Sequence, residues 1–220
     1  MFNAQKIISL ITLLTAIVFS QVASAKQSLI GILVFDGFLT SDVTAPVEVF
    51  GAATKTSWFS SYNIVIISTT KNKTVTSEEG LTIVSDKTIY DDLDLDVLIV
   101  PSSYDMKEHI NNKALISFIR NKNKTASWMA SNCSGAFLLG EAGVLDGKQA
   151  TTWFGGETDL KNSYPKIDVK FNQNVVVDDR VITSNGGPVS YEAAFILLEK
   201  LSSKKFSNEI SNTIQFNRIK

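Results

Sequence analysis

Two residue types on which much enzyme chemistry depends are nearly missing from this chain. Its 220 residues hold one cysteine, Cys133, and one histidine, His109. A single cysteine excludes an intramolecular disulfide and any cysteine-rich zinc site. A single histidine excludes metal motifs built on a histidine pair. Nucleophilic chemistry of the usual cysteine or histidine kind must therefore run through Cys133 or His109. Charge of one sign is also lacking: Lys plus Arg number 21 and Asp plus Glu 22, a formal net charge of −1. With no basic block, a dedicated nucleic-acid binder is not expected. What is present, 44% hydrophobic and 20% charged residues, is ordinary for a folded globular domain and excludes a disordered chain.

The first 25 residues read as a leader. Lys6 is followed by an apolar run over residues 7–19 and then by Ala23-Ser24-Ala25. A positive start, a short apolar stretch and a small-x-small end describe a secretory signal peptide, cut after Ala25. The run is short of the roughly 20 apolar residues that a membrane span needs, so no stable membrane insertion is expected after cleavage. An uncleaved anchor is the alternative. The remainder, residues 26–220, suits one domain placed in the periplasm or secreted.

Along that domain, short apolar runs alternate with helical patterns. Strands are predicted over residues 28–35, 62–68, 81–84, 96–100, 126–132, 149–153, 169–177 and 180–184. Helices are predicted over 42–54 with Pro46 in its first turns, near 114–119 with Asn111 or Asn112 as cap, over 134–141, over 188–201, and in the tail from Lys204. Alternation with continuously apolar strands is the pattern of an α/β fold, a mostly parallel sheet with helices on both faces. Ligands in such folds sit at the carboxyl ends of the strands. Asp36, Asp42, the Pro101–Ser103 turn, Cys133 and the Asn185–Gly187 turn all fall there.

Cys133 lies where a predicted strand turns directly into a helix, flanked by the small residues Ser131, Ser134, Gly135 and Ala136. A sharp turn of this kind presents its side chain at the top of a sheet. Backbone N–H groups of the following helix favour a thiolate, so the thiol is expected to be accessible and more acidic than a free cysteine. The alternative is a small core residue, since free cysteine is often buried.

Four pieces carry a family resemblance: residues 32–51, residues 96–103, residues 130–154 with Cys-Ser-Gly-Ala followed by Ala-Gly-Val-Leu-Asp-Gly and Ala-Thr-Thr, and residues 181–201. In this order they resemble the ThiJ/PfpI superfamily of class I glutamine amidotransferase-like folds. The nearest branch resembles isonitrile hydratases and the amidotransferase-like domains of AraC-type regulators. The resemblance implies a flavodoxin-like three-layer sandwich and a homodimer. It also implies that Asp42 is the acid paired with Cys133, although an aspartate there also suits a helix cap. Oxyanion donors are expected from the N–H of Ser134 and from the Ser102 and Ser103 turn, where the family usually has glycines.

Two histidines of the wider family are replaced, one by Ser134 and one by Trp153, so a Cys-His protease mechanism has little support. His109 is expected on an exposed loop, Glu48 in packing or a dimer contact, and Glu192 at a helix surface or pocket rim. The leading functional expectation is an exported, cysteine-dependent lyase that hydrates an isonitrile to an N-substituted formamide. It would act on a small molecule and need no cofactor or metal. The alternatives are a glyoxalase or deglycase of the same superfamily, and a non-enzymatic ligand-binding or redox-sensing module.

Overall fold

The computed structural model describes residues 27–56 and 59–219. The predicted leader and its cleavage point lie outside the described residues. The central sheet has seven strands: β1 (Ser28–Val34), β2 (Tyr62–Ser68), β5 (Lys87–Thr88), β6 (Val97–Val100), β7 (Trp128–Asn132), β10 (Val175–Asp178) and β11 (Val181–Ser184). Their spatial order is β10-β11-β7-β6-β1-β2-β5. All pairs are parallel except the edge pair β10–β11. The expected mostly parallel α/β sandwich is the observed fold.

Seven helices accompany the sheet among the described residues: α1 (Thr40–Thr54), α2 (Lys107–Asn111), α3 (Lys113–Lys122), α4 (Gly135–Glu141), α5 (Glu157–Ser163), α6 (Val189–Leu201) and α7 (Lys204–Thr213). Helices α1, α6 and α7 pack on one another as one layer, and α2, α3 and α4 form another. The sheet lies between them, so Ile32, Leu98, Met129 and Ile182 are fully shielded from solvent. That two-sided burial is why these strands read as unbroken apolar runs. Side-chain caps hold two helices. The Asn112 side chain accepts from the N–H groups of Ala114 and Leu115, and Ser203 caps α7.

Several expectations need correcting. Residues 149–153 do not form a sheet strand. Only Gln149–Ala150 (β8) pairs, with β9 (Asp168–Val169), in a separate two-stranded ribbon. The long strand expected over 169–177 breaks into β9 and β10, with Asn172 at φ +56 between them. The turn at residues 77–81 closes a hairpin of β3 (Thr74–Thr76) and β4 (Thr82–Val84). Pro46 is not in the opening turn of α1 but inside the helix. A proline there has no N–H to give to the carbonyl four residues back. That carbonyl belongs to Asp42, and the Asn132 side-chain amide donates to it instead at 3.0 Å.

The register aligns the functional edge. Val100 pairs with Ser131 and Asn132 with Ser184, so three strands end nearly level. The segments that leave them carry Ser102, Cys133 and Gly186.

Candidate active site at the Cys133 turn

Cys133 joins β7 to α4 with φ +50, a left-handed conformation that side chains rarely adopt. Such a backbone costs about 1–3 kcal/mol and persists only where its surroundings hold it. Here the Cys133 N–H donates to the Ser184 carbonyl at 2.9 Å, and its own carbonyl accepts from the Thr152 hydroxyl at 2.9 Å. Two glycines allow the close packing. A Cβ at Gly135 would sit 2.5 Å from the Val100 carbonyl oxygen, so only glycine lets α4 start against the end of β6. A Cβ at Gly186 would meet the Cys133 Cβ at 2.4 Å and Asp42 Oδ1 at 2.9 Å. Gly186 is thus wedged between the two residues expected to react.

Asp42 does not cap α1. The helix begins at Thr40, and Leu39 in the cap position makes no side-chain cap bond. The Asp42 carboxyl instead points away from its own helix end and is fully buried. Its Oδ2 accepts from the Ser102 N–H at 3.1 Å and the Ser102 hydroxyl at 2.5 Å. Its Oδ1 accepts from the Gly187 N–H at 3.0 Å and the Ser190 hydroxyl at 2.9 Å. Burial pushes the Asp42 pKa above the usual carboxylate value, against the pull of these four bonds.

The thiol also departs from expectation. Cys133 is half-buried, and burial pushes its pKa up rather than down. The charge of Asp42 is the next contribution in the same direction. Hydrogen bonds from the Ser102 hydroxyl and from the N–H and hydroxyl of Ser134 act the other way. The helix that follows is only seven residues long, and its dipole does not overcome the loss of water.

The expected oxyanion donors are placed differently. The Ser102 N–H is engaged by Asp42, and the Ser103 N–H by the Met106 sulfur at 3.2 Å. The Ser103 hydroxyl donates to Glu78 and to the Asp105 carbonyl. Of the three serines, Ser134 keeps its N–H toward the sulfur, while its hydroxyl donates to the Ser103 carbonyl at 2.9 Å.

A cleft of about 430 Å³ reaches Ser134 and is walled by Met106, Ile110, Phe137, Trp153 and Tyr164. Trp153 stacks on Phe137 with ring centroids 5.4 Å apart. The residue that replaces a family histidine therefore builds an apolar wall.

His109 is not on an exposed loop. It sits half-buried in α2, its ring stacked on Phe35 at 3.9 Å, beside a separate cavity of about 340 Å³. Burial lowers its pKa. Glu48 accepts a 2.5 Å hydrogen bond from Tyr191 within the same chain, tying α1 to α6. Glu192 is half-buried in the first turn of α6.

Sequence reasoning missed Asn132, Gly187 and Ser190, which surround Asp42. Their signal is faint: small polar residues at the ends of apolar strands. Among the described residues, no cluster of three or more His, Cys, Asp or Glu is arranged to hold a metal ion. No helix among them is long and apolar enough to cross a membrane.

Comparison with known proteins places this geometry. The isonitrile hydratase of Pseudomonas putida is 33% identical over 127 residues, covering 58% of this chain and 54% of that protein. Protein dj-1beta of Drosophila melanogaster is 27% identical over 117 residues, 53% of this chain and 61% of the relative. The chain thus spans little more than half the length of these two relatives. The crystal structure of a ThiJ/PfpI family protein from Pseudomonas syringae superposes with a TM-score of 0.77 at 24% identity, covering 86% of this chain and 75% of that one. The DJ-1/PfpI family pattern matches residues 29–200. That match runs unbroken from β1 through the Cys133 turn and nearly to the end of α6, and the chain belongs to the DJ-1/PfpI family.

Proposed function

We propose that the protein hydrates an isonitrile to an N-substituted formamide, with Cys133 as nucleophile and Asp42 as the acid. The observation that carries this reading is the fully buried Asp42 carboxyl, pushed toward its protonated form and acting on Cys133 with no histidine at the turn. A reaction that needs a thiolate and one proton donor fits that pair; a Cys-His hydrolase does not. The Cys133 sulfur adds to the terminal isonitrile carbon, which takes a proton to give a thioimidate. Water adds to the same carbon, the C–S bond breaks, and thiolate and formamide separate. The apolar cleft beside Ser134 holds the substituent on the isonitrile nitrogen. Its similarity to the Pseudomonas putida isonitrile hydratase supports the same reading.

A glyoxalase-type reaction on small carbonyls is the second reading, supported by the DJ-1 relative. The aromatic walls of the cleft suit a bulkier apolar group better. Export through residues 1–25 and a homodimer complete the proposal. N-terminal sequencing that finds Lys26 outside the cytoplasm supports export, and Met1 in a cytosolic fraction refutes it. Light scattering reads the dimer.

The decisive experiment presents isonitriles, methylglyoxal and peptides in parallel to the wild type and to Cys133→Ala. Formamide is expected from the wild type alone. Consumption of methylglyoxal without any formamide overturns the hydratase reading in favour of the second.

A further inference from the structure

Ser102 occupies a position that neither the hydratase reading nor the family likeness accounts for. Its hydroxyl oxygen lies 2.5 Å from Asp42 Oδ2 and is also the side-chain hydrogen-bond partner of the Cys133 sulfur. The group is buried, and its backbone N–H is fixed on the same carboxylate oxygen. Asp42 and Cys133 are therefore joined through one hydroxyl, with Gly186 filling the space beside them.

We propose that Ser102 relays a proton between Cys133 and Asp42. The Cys133 S–H proton passes to Ser102 Oγ as the Ser102 hydroxyl proton passes to Asp42 Oδ2. The sulfur keeps the bonding pair and becomes a thiolate, the carboxylate becomes a carboxylic acid, and total charge is unchanged. Run backwards, the same two transfers return the proton when the product leaves.

The surrounding donors permit this direction and no other. A protonated carboxyl needs an acceptor, and the N–H groups of Ser102 and Gly187 cannot accept. Only the hydroxyls of Ser102 and Ser190 can, and Ser102 makes the shorter contact, 2.5 Å against 2.9 Å. Ser190 remains a donor to Oδ1 in both states, so it stabilises whichever form Asp42 takes. Asp42 is the charged group that acts on the thiol, and the partners of Asp42 are hydrogen bonds. Two acidic groups coupled in this way hold one proton between them and titrate as a pair. A hydroxyl at residue 102 makes that sharing direct and keeps water out of the exchange.

The relay deepens the hydratase reading but is tested without it. Iodoacetamide alkylation of folded protein is followed against pH for the wild type, Ser102→Ala, Ser102→Thr and Asp42→Asn, and for the Ser102→Ala/Asp42→Asn pair. Ser102→Ala is expected to lower the neutral-pH rate about tenfold or more and move its midpoint to higher pH. Ser102→Thr, which keeps the hydroxyl, restores the wild-type profile. In the Asp42→Asn background the alanine substitution has a much smaller effect, because residues of one relay act as a unit. A wild-type profile for Ser102→Ala overturns the relay. So does an equal loss in both backgrounds, which makes Ser102 a simple donor to the sulfur. Isonitrile turnover is measured on the same proteins. Its absence beside the expected alkylation pattern removes the hydratase reading and leaves the relay standing.

Discussion

Asp42 and His109 are both taken out of water, and burial drives both toward the neutral form, one by raising and the other by lowering its pKa. Their settings are otherwise opposite. Asp42 is enclosed by groups from the ends of β6 and β11 and from the start of α6, and every oxygen lone-pair direction is spoken for. His109 rests on one aromatic face beside a cavity whose acids, Asp36, Asp105 and Glu108, are exposed. The difference teaches that a shifted pKa marks chemistry only where donors and acceptors converge on the group. The His109 region has the charges, but they face water and are screened. The Asp42 region has a single carboxyl and a single thiol, held against each other in a dry and crowded space.

The largest test of this contrast is Gly186→Ala. The added methyl would overlap the Cys133 Cβ at a residue with φ +77, where alanine is also strained. Overpacking typically costs about 1–3 kcal/mol, and the backbone adds to that. Calorimetry should show a lowered Tm together with loss of Cys133-dependent turnover. Retention of both would mean that the Asp42 region is not crowded.

Asp42→Asn comes next. It removes the acid, and a positioned acid is worth about 10²–10⁴ in rate. It also turns an amide N–H toward the Ser102 or Gly187 N–H, a donor against a donor, at a stability cost of about 1–3 kcal/mol. The pH dependence separates the two. Because the folded pKa of Asp42 lies above its unfolded value, its favourable contribution is present below the unfolded pKa and lost as pH rises through the folded one. Wild-type Tm should therefore fall across that window, and the fall should be absent in Asp42→Asn.

His109→Phe tests the other side. The folded pKa of His109 is lowered, so the folded state loses stability as pH falls below the ordinary histidine value. Phenylalanine keeps a ring on Phe35 and removes that loss, so the acid-side drop in Tm should shrink while turnover stays as it was. A collapse of turnover would place His109 in the chemistry and break the contrast. The smallest effect is expected from Asn112→Ala, which removes the cap of α3 next to the His109 cavity. Loss of about 1 kcal/mol of stability with unchanged turnover is the expected outcome in a denaturant titration.

The sheet was legible because five of its strands are buried on both sides and announce themselves locally. The Cys133 turn was legible for a similar reason, since strand, cysteine and small residues are contiguous. Asp42 was picked out correctly as a residue of interest, but its role as a cap was a local inference, and its partners are remote. Helix α5 was missed because Leu160 and Glu157 are its buried residues, too few for a periodic signal. The stacking of His109 on Phe35 and the capture of the Ser103 N–H by Met106 depend on tertiary placement alone. The thiol was expected to be acidic because a helix start is visible in sequence, whereas the water it loses is not.

The proline inside α1 has a consequence for how the molecule matures. By leaving the Asp42 carbonyl to Asn132, it stitches α1 to a strand 90 residues further along the chain. The carboxyl of the same aspartate waits on partners 60, 145 and 148 residues away. Contacts that distant close late, because the intervening chain must be ordered first. Asp42 thus stays an ordinary surface carboxylate until α6 arrives, and it takes up a proton only then. Refolding just above the ordinary carboxylate range, in weak buffer with an indicator dye, should show one proton absorbed with the final step and none in Asp42→Asn. The dye then reads the moment at which the whole chain has closed around its reactive pair.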